Sequence, residues 1–342
     1  WDIKNGSGNP YQVFTPYWRA ARSGIYNKPL SYEPKELSFV QTGSKTETLE
    51  SLGLLPDHPW HQKLHLHWTV SEDEGHKMIK RTTDEVTQFY SNRRNIPAVD
   101  GTSKLSPYLA WGNISPRQVC HAVLNKDAQS GSRGENKFLT EIGWREFSYH
   151  LLHHFPRSTD NPLRPKYAAF PWREDAEALS KWQFGNTGYA LVDAGMKQLY
   201  ETGWMHNRVR MVVASFLVKH LLLSWKEGAS WFWDTLVDAD LASNTQGWQW
   251  AAGCGADAAP YFRIFNPILQ GEKFDRSGRY VRKWVKPLKD FPTKWLFKPW
   301  ETPSDILSEQ NITLGQNYPN PCVNHAEART RALEALATLP KN

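Results

Sequence analysis

Beyond Asp73, apolar residues recur at three- and four-residue intervals, and strict two-residue alternation is scarce. That period predicts helices rather than strands. Met78, Ile79, Val86 and Phe89 place one helix over 74–92, and Ser115-Pro-Arg-Gln opens another with proline at its first position. Further helices are expected over 136–153, 174–182 and 189–200, then near 280–288 and 323–336, with a proline-rich loop at 156–171. The first 75 residues read differently. Gly6, Gly8, Pro10, Pro16, Pro29 and Pro34 punctuate them, and 51–74 is polar with one short leucine run. The pattern predicts a mostly α protein, with an irregular linker over 1–75 and a helical domain over 76–342.

The stretch from Gly203 to Trp250 organises that domain. Val212, Val213, Phe216, Leu217 and Leu221–Leu223 make a helix apolar on nearly every side, which belongs inside a core. If its start is helical, Asn207, Arg210 and Met211 share one face and Arg208 points elsewhere. The polar start of a core helix faces something buried. The simplest reading is that Arg210 pairs with Asp238 or Asp240. Trp225 is expected to end the apolar helix. Trp248 and Trp250, two apart, face opposite ways in an extended or loop segment.

Composition narrows the partner. Hydrophobic residues make up 40% of 342, enough for a substantial core, and the net charge of +6 suits a polyanion. Seventeen tryptophans are far more than a core requires and point to stacking, redox transfer or both. Cys120, Cys254 and Cys322 form no CxxC motif and no disulfide framework, which favours a reducing, cytoplasmic setting. No signal peptide is evident, and the apolar run Met211–Val218 is too short to span a membrane. His58, His61, His65 and His67 cluster but match no common zinc spacing, so no metal is expected. A monomer is expected, and a start at Trp1 rather than Met suggests that the true N-terminus lies upstream.

Four local patterns can carry chemistry. Gly101-Thr-Ser-Lys-Leu-Ser offers hydroxyls and free N–H groups at a helix start, either an anion site or an ordinary cap by Thr102 or Ser103. Glu141, Trp144 and Arg145 line one helix face, either as carboxylate and indole for a heterocycle or as a Glu–Arg surface pair with a half-buried Trp. Asp238-x-Asp240 reads better as an acidic pair opposite arginine than as a metal site. Trp172, Trp225, Trp248 and Trp250 are either core aromatics or a file that passes electrons.

These segments occur in one order with Trp144-Arg-Glu-Phe, Thr202-Gly-Trp-Met-His-Asn-Arg-Val-Arg-Met, Asp238-Ala-Asp-Leu-Ala-Ser-Asn, Gly247-Trp-Gln-Trp and Tyr261-Phe-Arg-Ile-Phe-Asn-Pro. The combination resembles the FAD-binding helical domain of the DNA photolyase/cryptochrome family from about residue 76 onward. Val13-Phe-Thr-Pro-Tyr-Trp matches the segment after that family's N-terminal antenna domain, which is absent from this sequence, so its antenna chromophore is not assignable. The resemblance implies a buried FAD. Tyr90, Thr102, Ser103, Leu105 and Ser106 would hold its phosphates and ribityl region, and Phe138 and Arg145 would line the pocket. Asn207, Arg210, Asp238 and Asp240 would complete it, with Asn244 facing flavin N5. It also implies DNA carrying a pyrimidine dimer as the partner, with Glu141, Trp144, Asn207, Met211 and Trp250 forming the lesion pocket. Glu141, Asn207 and Asn244 would serve the reaction, in which light-excited reduced flavin lends the dimer an electron. Trp248, Trp225 and Trp172 would relay electrons to oxidised flavin. Relatives that repair 6-4 photoproducts carry histidine where Asn207 and Met211 stand, and plant cryptochromes usually have Asp for Asn244. A cyclobutane-dimer photolyase of class I or class III type is therefore expected ahead of a blue-light photoreceptor. Thr245-Gln246 and Gly253-Cys-Gly-Ala lean toward class III.

Overall fold

A computed structural model describes residues 2–27, 30, 36–39, 46–48, 50–54, 59–127 and 133–340. Among them the fold is helical, and extended segments meet only as isolated bridges such as Arg173 with Leu223. No helix among the described residues is long and apolar enough to cross a membrane.

The N-terminal part is not simply irregular. Phe14–Asn27 forms α1, whose Phe14, Tyr17 and Ala21 fall at helical spacing and bury against Phe147 and Leu151. Pro16 does not prevent this, because a first-turn proline removes only an N–H that has no helical partner. A 3-10 turn, Pro59–Leu66, follows in the expected linker, and α2 (Glu72–Arg81) starts at Ser71, whose hydroxyl accepts from the Glu74 N–H at 3.0 Å.

The helix expected to run to Asn92 breaks up. A wide turn over Thr82–Val86 and a tight one over Thr87–Phe89 lead into α3 (Tyr90–Arg93). Thr82 and Thr87 donate back to the carbonyls of Met78 and Thr83 at 2.7 and 3.2 Å, the kind of back-bonding that bends helices. The cap expected at Thr102 or Ser103 is also absent: α4 (Ser106–Ala110) begins without a side-chain cap. Lys104 is left-handed at φ 54°, and Ser103 Oγ accepts from Leu105 N instead. α5 (Pro116–Asp127) opens as predicted, with Ser115 and Gln118 bonding each other's backbone N–H at 2.7 and 3.2 Å. α6 (Arg133–His154) follows, then α7 (Ala176–Gln183), capped by Asp175, and α8 (Ala190–Thr202). Gly203 ends α8 at φ 66°, with no room for a Cβ against Val237.

The central helix is shorter than its apolar pattern suggests. α9 (Asn207–Ser215) widens over Phe216–His220, and Leu222 turns left-handed at φ 58°. Trp225 therefore does not end this helix. It opens α10 (Trp225–Thr235), where Ser224 accepts from Lys226 N at 3.3 Å. Trp248 and Trp250 lie not in an extended segment but in α11 (Leu241–Ala252), where Trp248 is buried and Trp250 half-buried. The remaining helices are α12 (Pro267–Phe274), α13 (Arg279–Trp284), α14 (Ser304–Glu309) and α15 (His325–Ala337). Val209, Val213, Phe216, Leu217 and Val218 are fully enclosed, so α9 and its wide turn form the centre of the largest core.

Candidate cofactor and nucleic-acid site

The site is built where α4, α6, the α8–α9 turn and the start of α11 converge. Arg210 Nη2 bonds both oxygens of Asp238 at 2.8 and 3.1 Å, and Arg210 Nε donates to the Met205 carbonyl at 2.7 Å. Of the two carboxylates that the sequence offered, Asp238 is the partner; Asp240 has another task. Its carboxylate accepts from Ser243 N at 2.7 Å, capping α11, and from the Tyr149 hydroxyl. Burial, then the bond to Asp240, pushes Tyr149 up to about 12, so it remains a donor at neutral pH. Tyr149 also accepts from Arg145 at 3.3 Å, while Arg145 reaches the Leu109 carbonyl of α4. Across the site the Trp204 indole lies 3.4 Å from the Ser106 hydroxyl. Asn244, one turn into α11, donates to the Ala229 carbonyl at 2.9 Å, which fixes its amide.

This donor set fits FAD. Hydroxyls gather at an uncapped helix start, suited to phosphate, while the buried Asp238, the half-buried Asp240 and the Asn244 amide suit a heterocycle edge. His206 adds an independent observation. Its Nδ1 accepts from Arg208 N at 3.2 Å, so Nε2 carries the proton, and that buried N–H has no hydrogen-bond partner among the described residues. An orphan donor of this kind calls for a polar ligand or ordered water. Tyr90 and Phe138 meet edge-to-face at 5.3 Å on the neighbouring wall.

Beside this convergence opens a cleft of about 530 Å³ lined by Ser91, Arg94, Asn95, Lys137, Thr140 and Arg208. Its charge is positive. Among the described residues Arg208 bonds a neutral group, the Asn95 side-chain Oδ1, at 2.8 and 3.3 Å, and it lies over the Phe274 ring at 4.5 Å. Burial, then Arg94 and Arg263, lowers its pKa, the signature of clustered guanidiniums. Glu141 does not pair with Arg145, as the spacing allowed, but with Arg94, and Lys137 lies 3.7 Å from it. Arg145 takes Glu146 at 2.8 Å instead. Asn207 is exposed next to Arg208, and Met211 is half-buried one turn on. Trp144 stands apart from this lining: it stacks on Phe14 of α1, centroids 3.8 Å apart and planes 9° from parallel. Trp250 packs partly against the main core.

The three tryptophans expected to relay electrons lie on neighbouring elements. Trp248 is buried, its indole N–H has no hydrogen-bond partner among the described residues, and it lies against Gly228 of α10, where a Cβ would clash with its ring. Trp225 begins that same helix, and Arg173 N bonds the Leu222 carbonyl at 2.9 Å, holding Trp172 next to the turn before Trp225. Trp172 is half-buried.

Sequence reasoning missed His206, Tyr149, Arg94 and the cleft-facing Arg208. Tyr149 was within reach, since it follows Arg145 by one turn of α6. Arg94 was not, because its ion pair with Glu141 joins separate helices. Of the histidine cluster, His61 and His65 lie on the Pro59–Leu66 turn, His67 is 3.9 Å from Glu201, and His58 lies outside the described residues. Among the described residues no group of three or more His, Cys, Asp or Glu is arranged to hold a metal.

Residues 138–338 match the family model described as the FAD binding domain of DNA photolyase. The chain is 46% identical over 340 residues to the deoxyribodipyrimidine photo-lyase of Agrobacterium fabrum, covering 99% of this chain and 71% of that protein. It is 36% identical over 349 residues to cryptochrome-1 of Arabidopsis thaliana, covering 99% of this chain and 51% of that protein. A bacterial class III photolyase from Agrobacterium tumefaciens superposes with a TM-score of 0.93 at 47% identity, over 98% of this chain and 70% of that one. With an acidic and hydroxyl-rich site beside a basic cleft, a family model matched over Arg145, Arg210, Asp238, Asp240 and Asn244, and a photo-lyase relative 46% identical across the chain, the chain belongs to the DNA photolyase and cryptochrome family.

Proposed function

We propose that this protein is a deoxyribodipyrimidine photo-lyase that uses light to split cyclobutane pyrimidine dimers in DNA. The observation that carries this reading is the juxtaposition of the Arg210–Asp238 and Tyr149–Asp240 site with the cleft of Arg94, Lys137 and Arg208. A bound, reduced FAD supplies such a site with a light-excitable one-electron donor.

The chain's own residues bind, orient and polarise. Thr102, Ser103, Leu105 and Ser106 hold phosphate and ribityl oxygens at the uncapped start of α4. Tyr90, Phe138, Arg145 and Asn207 line the pocket, with Arg210, Asp238 and Asp240 at its polar edge. Asn244 hydrogen-bonds the ring edge but, as an amide, has no proton to give it. The cleft arginines hold the phosphates flanking a flipped-out lesion, whose unstacking is already cheaper at a damaged step. Glu141 and Asn207 meet the bases, with Met211 and Trp250 as apolar contacts. Trp144 reaches the lesion only if its stack with Phe14 opens. Trp172, Trp225 and Trp248 would offer oxidisable indoles through which an external reductant's electron could reach a bound flavin.

A direct test is competition binding by the FAD-loaded protein between two duplexes identical except for one cyclobutane thymine dimer. A clear preference for the damaged duplex is expected. Equal affinity would count for the second reading, a blue-light photoreceptor, which the similarity to cryptochrome-1 keeps in view.

A further inference from the structure

Lys219 lies in the wide turn at the end of α9, 1% exposed in the midst of the largest core. A buried ammonium is costly unless its contacts serve a purpose. Among the described residues its hydrogen-bonding oxygen is the carbonyl of Arg263, 2.9 Å away, and Nζ lies 5.4 Å from the Tyr261 ring. Neither the putting-out of a repair electron nor the flavin pocket uses it.

The same turn grips the 260–266 loop at two more points. Ser215 Oγ accepts from Phe265 N at 3.4 Å, and the Tyr261 hydroxyl donates to the Val218 carbonyl at 3.3 Å. Tyr261 is buried and Ile264 packs against the core, but between them Phe262 is 64% exposed and Arg263 is exposed. The loop runs directly into α12, whose Phe274 ring lies 4.5 Å from the Arg208 guanidinium, and after burial and Arg94 the Arg263 charge also lowers the Arg208 pKa, so the loop sets a further guanidinium beside the cleft. Like charges repel, and a free loop would swing this arginine away. The grip on its backbone prevents that.

We propose that Lys219 is a positioning residue for DNA binding: by bonding the Arg263 carbonyl it holds the 260–266 loop so that the Arg263 side chain meets the phosphate backbone beside the cleft. This rests on the DNA-repair reading above. Lys219 touches neither flavin nor DNA and acts through the loop alone. Its burial and the nearby Arg263 lower its pKa to about 8, as expected for an ammonium kept there against its solvation preference.

The test compares wild type, Lys219→Met, Ser215→Ala and Arg263→Gln, all FAD-loaded, by affinity for a thymine-dimer duplex across a salt series, with light-driven turnover at saturating DNA. Lys219→Met keeps the length and removes the buried charge, so folding stability should hold or rise. Affinity should nevertheless fall about fivefold, the salt slope should lose about one unit, as for Arg263→Gln, and saturated turnover should stay unchanged. Ser215→Ala, which loosens the same loop without touching a charge, should weaken binding in the same direction. If Lys219→Met binds within twofold of wild type with an unchanged slope while Arg263→Gln is impaired, the positioning role is wrong and the DNA reading stands. If wild type itself shows no preference for DNA, the reading fails and this proposal fails with it.

Discussion

Removing the guanidinium of Arg210 strands Asp238, whose side chain is 3% exposed. A lone buried carboxylate is far worse than a well-paired one, so Arg210→Met is expected to cost about 3–5 kcal/mol. Urea unfolding of the FAD-free and FAD-loaded protein measures it, and flavin absorbance after gel filtration should drop as well. A stable variant that retains flavin would mean the pair is incidental. Trp248 allows a cleaner separation: Trp248→Phe should abolish photoreduction of oxidised flavin while chemically reduced protein still repairs DNA. Photoreduction at the normal rate would require another donor. The pairing of Arg210 with an acidic residue of the 238–240 segment was legible in the sequence because both lie in ordered motifs. Spacing alone could not choose between Asp238 and Asp240, which lie two residues apart on one segment; the cap of α11 and the Tyr149 hydroxyl give Asp240 separate work. Arg94 as the partner of Glu141 was equally hidden, because the contact crosses between α3 and α6.

Among the elements, α1 departs most from the pattern. Its Pro16 and Gly24 mask a Phe14-Tyr17-Ala21 stripe that becomes recognisable only against Phe147 and Leu151. Phe14→Ala should therefore cost about 3–5 kcal/mol by leaving a cavity beneath Trp144, read by urea unfolding; a change under 1 kcal/mol would mean α1 is not part of the cooperative core. The broken helices share a different cause. Threonine hydroxyls and left-handed residues such as Lys104 and Leu222 reset the chain against its apolar period, and periodicity alone cannot register either.

At the scale of the whole molecule, buried histidines set the acid side of stability. Burial, then His325, pushes His220 down to about 3; burial, then His154, pushes His150 down to about 4; burial, then Arg208, does the same to His206. Between about pH 6.5 and 4 the unfolded chain binds more protons than the folded one, so stability falls as pH falls. Each histidine contributes at most about 1.4 kcal/mol per pH unit over that window. Urea midpoints at pH 7 and pH 5 should differ accordingly, and equal midpoints would contradict the burial. DNA affinity should also fall with salt, at a slope of about −3 if Arg94, Lys137, Arg208 and Arg263 supply three or four phosphate contacts. A flat response would rule out the cleft as a backbone site.

The helical class was readable from period and the family from ordered motifs, whereas the cleft exists only because distant helices meet. Its purpose is tested most directly by illuminating the FAD-loaded, chemically reduced protein with two oligonucleotides, one with a cyclobutane thymine dimer and one with a 6-4 photoproduct, against dark controls. The account predicts light-dependent restoration of the first alone. Restoration of neither, with flavin bound, or of the 6-4 photoproduct, would contradict it.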